Sequence, residues 1–364
     1  MPGGTIVIAG AGIIGASIAY HLAKRGARVI ILDAAEPGSR ASGKSLGWIN
    51  ATFSKHPRAY FDINCAGIAA WRRLESELPG EIEIQWGGSV AWSKPGAEAD
   101  ALGENIRNHQ AWGYAVRLLD PREFHDLLPE VAPGEIAIAC HSESEAAVDP
   151  LKALTVLLSN ARAMGAELRY PCAVTGLHPA HRRIETNQGA IEASVFVLAC
   201  GVDSPRLAAM AGVRVPLKHS PGVLVHTAPA PRLIDRVVLA PGVHFKQTAD
   251  GRVIAGGPIV AGAGTAITHA SADDAVEIRA KLEQYLPAIK SIPTERVTLG
   301  HRVMPLDEYP IAGFSAECPF LYIAATHSGV TLAPLIGELA AIEILDRVPA
   351  AALAPYRPSR FSAS

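Results

Sequence analysis

Charge is scarce in this chain and nearly balanced: 19% of its 364 residues are Asp, Glu, Lys or Arg, and the net charge is −2. Aromatic residues make up only 6%, and no basic stripe interleaves with them. The electrostatic footprint of a nucleic-acid binder is therefore missing. Cysteine is sparse too. The five, Cys65, Cys140, Cys172, Cys200 and Cys318, form no CxxC pair, and their odd number argues against a disulfide framework. The thirteen histidines include no HxxxH or HExxH spacing, so no metal site is expected. Long unbroken apolar runs are also absent. Ile6 to Ala23 approaches spanning length, but Gly10, Gly12 and Gly15 interrupt it and no positively charged segment precedes it. These absences lead to an expectation of a soluble, cytoplasmic protein with no membrane span, kept in a reducing compartment and long enough for two domains.

What is present is concentrated at the start. Thr5 to Ala9 reads as a buried parallel strand, and Ile13 to Arg25 has helical length and spacing. Between them, Gly10 permits a tight turn, Gly12 removes the side chain that would block a pyrophosphate, and Gly15 lets helix and strand pack closely. The amides of Ile13 and Ile14 then open a helix whose positive end suits phosphate. A second strand, Ala27 to Leu32, ends at Asp33, 18 residues beyond Gly15, with Ala34 next. An acid there accepts hydrogen bonds from a ribose diol and disfavours a 2′-phosphate, which argues against NADP.

The rest of the chain is interleaved rather than beaded. Nucleotide-domain signals recur at Val148 to Gly212, with a helix from Leu151 to Met164 and an apolar strand in Ser194 to Gly201, and again at about Pro310 to Arg347. Between them, segments such as GVLVHT, GVHFKQT and GRVIAGG alternate with Pro and Gly turns, as strands of one antiparallel sheet would.

Six pieces, in order, carry a resemblance: GAGIIG with Asp33, SRASGKSLGWINA, AVDPLKALTVLLSNARAMGAEL, VFVLACGVDSPRL, GHRVMPLDEYPIAG and LYIAATHSGVTLAPLIGELAAIEIL. Together they resemble the D-amino acid oxidase superfamily of FAD-dependent oxidoreductases, nearest its glycine oxidase and sarcosine oxidase branch, over nearly the whole length. The resemblance implies an α/β fold: a glutathione-reductase-like Rossmann FAD-binding domain (1–79, 148–212 and 310–364) interleaved with an antiparallel-sheet substrate domain (80–147 and 213–309).

It also implies roles for particular residues. Arg40, Ser42, Lys44, Ser45, Leu46 and Gly47 form a loop that runs under the pyrophosphate and flavin, although such a cluster is otherwise an ordinary polar loop and Lys44 otherwise a solvated charge. Val174 offers backbone groups to adenine, while Ala199, Cys200 and Gly201 border the ADP half through small size. Cys200 reads as a filler rather than a reactive thiol. The loop Thr326 to Pro334, ahead of a helix Leu335 to Leu345, presents amides of Ser328, Gly329, Val330 and Thr331 to the flavin's pyrimidine edge; the plainer alternative is a helix cap by Ser328 or Thr331. Arg302, in the G-x-R motif, is expected to clamp a substrate carboxylate and to border the cofactor. His244, His327 and Asn50 are further pocket candidates, with structural histidines the competing reading.

Departures from the family pattern matter as well. Gly300 stands where covalent-flavin branches carry cysteine, so FAD should be noncovalent. No counterpart of the sarcosine-type lysine is visible near Arg252 to Ala255, and Lys246 and Lys218 are unassigned. The resulting expectation is oxidation of the CH–NH bond of a D-, N-methyl or secondary amino acid, with oxygen or another acceptor taking the electrons. Two alternatives accompany it: a subunit of a heteromeric opine- or sarcosine-type dehydrogenase that hands electrons to a partner, and an NAD-dependent dehydrogenase; for association, the expectation is a homo-oligomer or a partner subunit.

Overall fold

The computed structural model describes residues 4–53, 55–257 and 272–362. The stretch 258–271 of the expected substrate domain lies outside them. Ile6–Ala9, buried at every position, forms a strand flanked in parallel by Val29–Leu32 and Val195–Leu198. The full six-stranded order is Ile311–Phe314, Leu321–Ala325, Val195–Leu198, Ile6–Ala9, Val29–Leu32 and Glu167–Arg169. The edge pair Ile311–Phe314 and Leu321–Ala325 is antiparallel.

Side chains alternate between two cores, as strand geometry demands. Ile6, Ile8, Val29, Ile31, Val195 and Val197 share one core with the helices Ile13–Lys24, Pro150–Ala163 and Gly329–Asp346. Val7, Ile30, Phe196 and Leu198 pack the other way, with Leu177, Ile184 and Ile191 from the antiparallel strands Val174–His178, Arg183–Thr186 and Gly189–Glu192. Each such side chain contributes on the order of 2 kcal/mol by leaving water, so a charged residue at Val7 or Val197 would unseat a whole face. Pro150–Ala163 starts where its chemistry says it should, because Asp149 accepts hydrogen bonds from the amides of Leu151 (2.8 Å) and Lys152 (3.3 Å) and Pro150 needs none.

A second sheet runs, in order, Thr294–His301, Pro221–Pro229, Arg252–Gly256, Val243–Gln247, Val237–Ala240, Ser89–Ser93, Ile138–Ser142 and Val116–Leu118. It corrects the expectation of an all-antiparallel sheet. Val237–Ala240 and Ser89–Ser93 pair in parallel, since these strands come from different insertions and no hairpin dictates their direction. A short three-stranded sheet ties the halves together. In it Ala146–Val148 pairs with both Trp48–Ile49 and Ile84–Gln85, fixing the loop that follows the nucleotide unit. No described helix is long and apolar enough to cross a membrane.

Candidate active site

The glycine turn has the steric character its sequence implied. Gly10 has φ +104°, and a β-carbon there would lie 2.4 Å from the Ala199 carbonyl oxygen; one on Gly15 would lie 1.9 Å from the Gly10 carbonyl oxygen. Gly12 faces open ground, where a β-carbon meets only Ser42 Oγ at 3.1 Å. That Oγ accepts from the Ile13 amide at 3.0 Å. Asp33 braces the turn, accepting from the amides of Ala11 (2.7 Å) and Ala35 (3.0 Å), while its remaining lone pairs stay available. Val174 opens its strand beside Thr186. Ala199 donates its amide to the Ala9 carbonyl at 2.9 Å, and Gly201, φ +62°, begins a tight turn. Burial pushes the Cys200 thiol up to about 11, which makes it an inert filler.

In the next loop Ser42–Lys44 forms a single 3₁₀ turn. Arg40 and Lys44 are exposed, and neither has an acidic partner among the described residues. Ser45 Oγ accepts from the Gly47 amide at 3.2 Å, and Leu46 packs against Ala147 and Val237. Gly47, φ +74°, leaves no room for a side chain, because a β-carbon would lie 2.1 Å from the Val148 carbonyl oxygen and 2.8 Å from Lys246 Nζ. Lys246, unassigned from sequence, is thereby located: it is buried, donates to the Val148 carbonyl at 2.7 Å, and is held down to about 8 by burial. Lys218 instead pairs with Glu308 at the surface. A β-carbon at Gly300 would lie 3.0 Å from Lys44 Cβ and from its carbonyl oxygen, so a cysteine there would require Lys44 to give by a few tenths of an ångström.

The C-terminal helix starts at Gly329, not at Leu335, and carries Pro334 inside it. The expectation of a loop through Pro334 fails because the carbonyl that proline cannot serve, that of Val330, receives the Trp71 indole N–H at 2.8 Å instead. Neither Ser328 nor Thr331 caps the helix. Ser328 Oγ accepts from Lys55 Nζ at 2.6 Å and lies 2.7 Å from the Tyr60 hydroxyl; Thr331 Oγ1 accepts from the Asn50 amide at 3.1 Å and donates to the Trp48 carbonyl at 3.3 Å. Among the described residues no side chain accepts from the amides of Gly329, Val330 and Thr331.

Arg302 follows the strand Thr294–His301 and spends one donor on the Pro221 carbonyl at 3.1 Å. Its side chain is solvent-accessible, yet desolvation lowers its pKa. Solvent reaches it, while the protein packed around it withdraws part of its hydration. Two imidazoles lie within its electrostatic reach. His244 is held down to about 4 by burial and then by Arg302, and its Nδ1 has no partner among the described residues. His327, although an exposed residue, is held down to about 4 by desolvation from the protein around it and then by the charges of Lys55 and Arg302. Phe53 packs edge-on to His244 at 5.1 Å and against Trp48 at 5.7 Å. Asn50 is buried, and its side-chain oxygen has no partner among the described residues. Behind this wall sits Glu145, fully buried, accepting from Trp48 Nε1, the amides of Ala51 and Thr52, and the hydroxyls of Thr52 and Ser89.

The residues fit a flavin dinucleotide. A glycine cradle open at Gly12, Arg40 and Lys44 without acidic partners among the described residues, and uncapped helix amides suit an acceptor-rich ligand, while Asn50 Oδ1 would take a donor from it. Lys55, Lys246 and Glu145 were missed in the sequence because a lone charge in a polar stretch, or one acid beside Glu143 and Asp149, bears no local mark of burial.

Known proteins agree. Residues 5–342 match a family described as FAD dependent oxidoreductase. Mouse (Mus musculus) mitochondrial dimethylglycine dehydrogenase is 26% identical over 67% of this chain and 29% of its own length. An opine oxidase subunit from Agrobacterium tumefaciens (strain Ach5) is 26% identical over 90% of each chain. Glycine oxidase from Geobacillus kaustophilus superposes with a TM-score of 0.91, at 25% identity and 99% coverage of each chain. The chain spans less than half the length of the first curated relatives it matches. Its architecture is that two-domain FAD-binding fold, and the family displaces the NAD-dependent dehydrogenase alternative. The chain belongs to the DAO family of FAD dependent oxidoreductases, and its cofactor is FAD.

Proposed function

We propose that this chain oxidises the CH–NH bond of a small amine bearing a carboxylate, a D-amino, N-methyl or secondary amino acid, with FAD held noncovalently. One observation carries the reading: Arg302 is an accessible guanidinium without an acidic partner among the described residues, near enough to His244 and His327 for its charge to help hold both imidazoles neutral. Its planar fork suits a carboxylate. Gly10, Gly12, Ile13, Ile14, Gly15, Asp33 and Ala34 would hold the ribose and pyrophosphate, with Val174, Ala199, Cys200 and Gly201 around the adenosine. The loop from Arg40 through Ser42, Lys44, Ser45, Leu46 and Gly47 would lie under the pyrophosphate and ring, and the amides after Ser328 would meet the ring's pyrimidine edge.

Bound FAD supplies a two-electron acceptor for the substrate's C–H hydride, leaving an imine that water hydrolyses to an oxo acid and an amine or ammonia. His244 and His327, neutral at pH 7, can accept a hydrogen bond from the substrate nitrogen without competing for its carboxylate. Phe53, packed on His244 and on Trp48, would give the substrate an apolar flank, and Asn50 offers a side-chain oxygen with no partner among the described residues. In the Arg302→Ala variant the substrate's apparent Kd should rise about 10- to 100-fold, the range for one charged hydrogen bond, with FAD content intact. Unchanged substrate affinity would remove the carboxylate clamp.

A second reading, that electrons leave through a companion chain, draws support from a relative named as a subunit and alike over 90% of both chains. The purified chain alone would then be reduced by substrate but reoxidised poorly by air. Fast reoxidation in air would set this reading aside.

A further inference from the structure

A carboxylate that leaves water must find its hydrogen bonds inside the protein. Glu145 is wholly buried, at 0% exposure, and both of its oxygens are taken. Oε1 accepts from the amides of Ala51 (2.9 Å) and Thr52 (2.9 Å) and from the Thr52 hydroxyl (2.7 Å), while Oε2 accepts from the Trp48 indole N–H (3.0 Å) and the Ser89 hydroxyl (2.6 Å). The Glu145 backbone carbonyl also accepts from the Gly88 amide at 3.0 Å. These donors belong to different parts of the fold. Gly88 and Ser89 lie at the start of an interior strand of the eight-stranded sheet, whereas Trp48 to Thr52 belongs to the loop after the nucleotide unit. Beyond the strand Trp48–Ile49, the Asn50 amide goes to Thr331 Oγ1 at 3.1 Å and the next two amides go to Glu145. The loop is thus gripped from the C-terminal helix on one side and from the larger sheet on the other. It carries two groups that the functional reading turns toward substrate: Asn50, 8% exposed with no partner for its Oδ1 among the described residues, and Phe53, packed on His244 and Trp48. A buried acceptor without a donor calls for one from a ligand.

We infer that Glu145 is a positioning residue for substrate oxidation: by bonding Trp48, Ala51, Thr52 and Ser89 together, it fixes where Asn50 and Phe53 meet the substrate. The inference rests on the functional reading above. No step of the reaction runs through Glu145, which acts on the rate through the loop it holds.

Glu145→Gln separates this role from a plain structural one, because it keeps size and shape but turns one oxygen into an NH2. The side chain would keep its oxygen toward the amides of Ala51 and Thr52, so the NH2 would face Ser89 and Trp48. Ser89 can turn its hydroxyl to accept; an indole N–H can only donate. Trp48 would be pushed away, and Phe53 with it. The FAD-loaded proteins are mixed anaerobically with D-alanine, N-methylglycine or proline, whichever reduces the parent fastest. In Glu145→Gln the limiting rate of flavin reduction should fall about tenfold or more, since a misplacement of about 1 Å can cost a hundredfold. The apparent Kd should stay within about threefold, because the Arg302 clamp is untouched. Trp48→Phe removes the indole N–H, so adding Glu145→Gln to it should slow reduction by no more than about twofold, a coupling that a general loss of stability would not give. A parental limiting rate in Glu145→Gln, or effects of the two substitutions that simply multiply, would overturn the inference. If the glutamine variant does not retain FAD, Thr52→Val, which removes one donor without changing shape, should slow the limiting rate by about threefold or more, and a parental rate there overturns the inference equally. A parent protein that none of these amines reduces would defeat the functional reading instead. Release of the indole would then still show as a red shift of Trp48 emission in Glu145→Gln, taken as the difference from the matching Trp48→Phe proteins, and an unshifted emission would overturn the clamp.

Discussion

Exchanging Lys55 for methionine should make the protein more stable at neutral pH and less stable in alkali. Burial holds the Lys55 ammonium down to about 8 from 10.5, which corresponds to about 3 kcal/mol spent on burying its charged form. Methionine removes that burden but also loses the bond to Ser328 Oγ, worth about 1 kcal/mol. The net gain is about 2 kcal/mol. With unfolding entropy of about 2 cal/mol/K per residue over 364 residues, Tm should rise by about 3 °C at pH 7.

The sign of the pH dependence follows from the two pKa values. Below about 8 Lys55 is protonated folded and unfolded, so the full destabilisation is present; between about 8 and 10.5 the folded state sheds the proton first and the destabilisation fades. Above 10.5 only the lost hydrogen bond remains, and the variant becomes less stable by about 1 kcal/mol. Other groups facing Lys55 do not imitate this. Tyr60 is raised by burial, and His327, which Lys55 helps to hold down to about 4, is already neutral in both proteins across this range. Thermal unfolding of the two FAD-loaded proteins between pH 7 and 10.5 reads the difference directly. A variant less stable at every pH would refute the view of Lys55 as a buried charge without a counter-ion.

Two further substitutions probe the two ends of the site. Gly222 lies against the Arg302 guanidinium, where a β-carbon would sit 3.1 Å from its Nη2; Gly222→Ala should shift that flexible group, raising the substrate's apparent Kd several-fold while Tm moves little. Equal Kd values would mean the guanidinium's position is immaterial to binding. Gly10→Ala combines a positive φ with a 2.4 Å approach to the Ala199 carbonyl oxygen, so it should destabilise by about 2 kcal/mol or more and cut the ratio of flavin to protein absorbance. Full flavin content in a stable Gly10→Ala protein would contradict the cradle.

The nucleotide half was legible because its signal is local. A β-branched run, three glycines at fixed spacing and a terminal acid each meet a steric or hydrogen-bonding requirement within about thirty residues, and the strand Ile6–Ala9 and helix Ile13–Lys24 follow within a residue or two. What stayed hidden depends on distant partners. Pro334 looks like a helix breaker until Trp71 satisfies the carbonyl it strands. Ser328 looks like a cap until Lys55 and Tyr60, some 270 positions earlier, claim its hydroxyl. Gly189–Glu192, too short and too small to read as a strand, exists because it pairs with Arg183–Thr186. The parallel seam between Val237–Ala240 and Ser89–Ser93 joins two insertions, and no local pattern specifies its direction.

The measurement that bears most directly on the account is anaerobic titration of the yellow FAD-loaded protein with D-, N-methyl- and cyclic secondary amino acids, alongside their decarboxylated analogues. At least one carboxylate-bearing amine should bleach the visible flavin bands at concentrations where its decarboxylated analogue does not. A flavin that none of these amines reduces, or that the analogues reduce equally well, would contradict it.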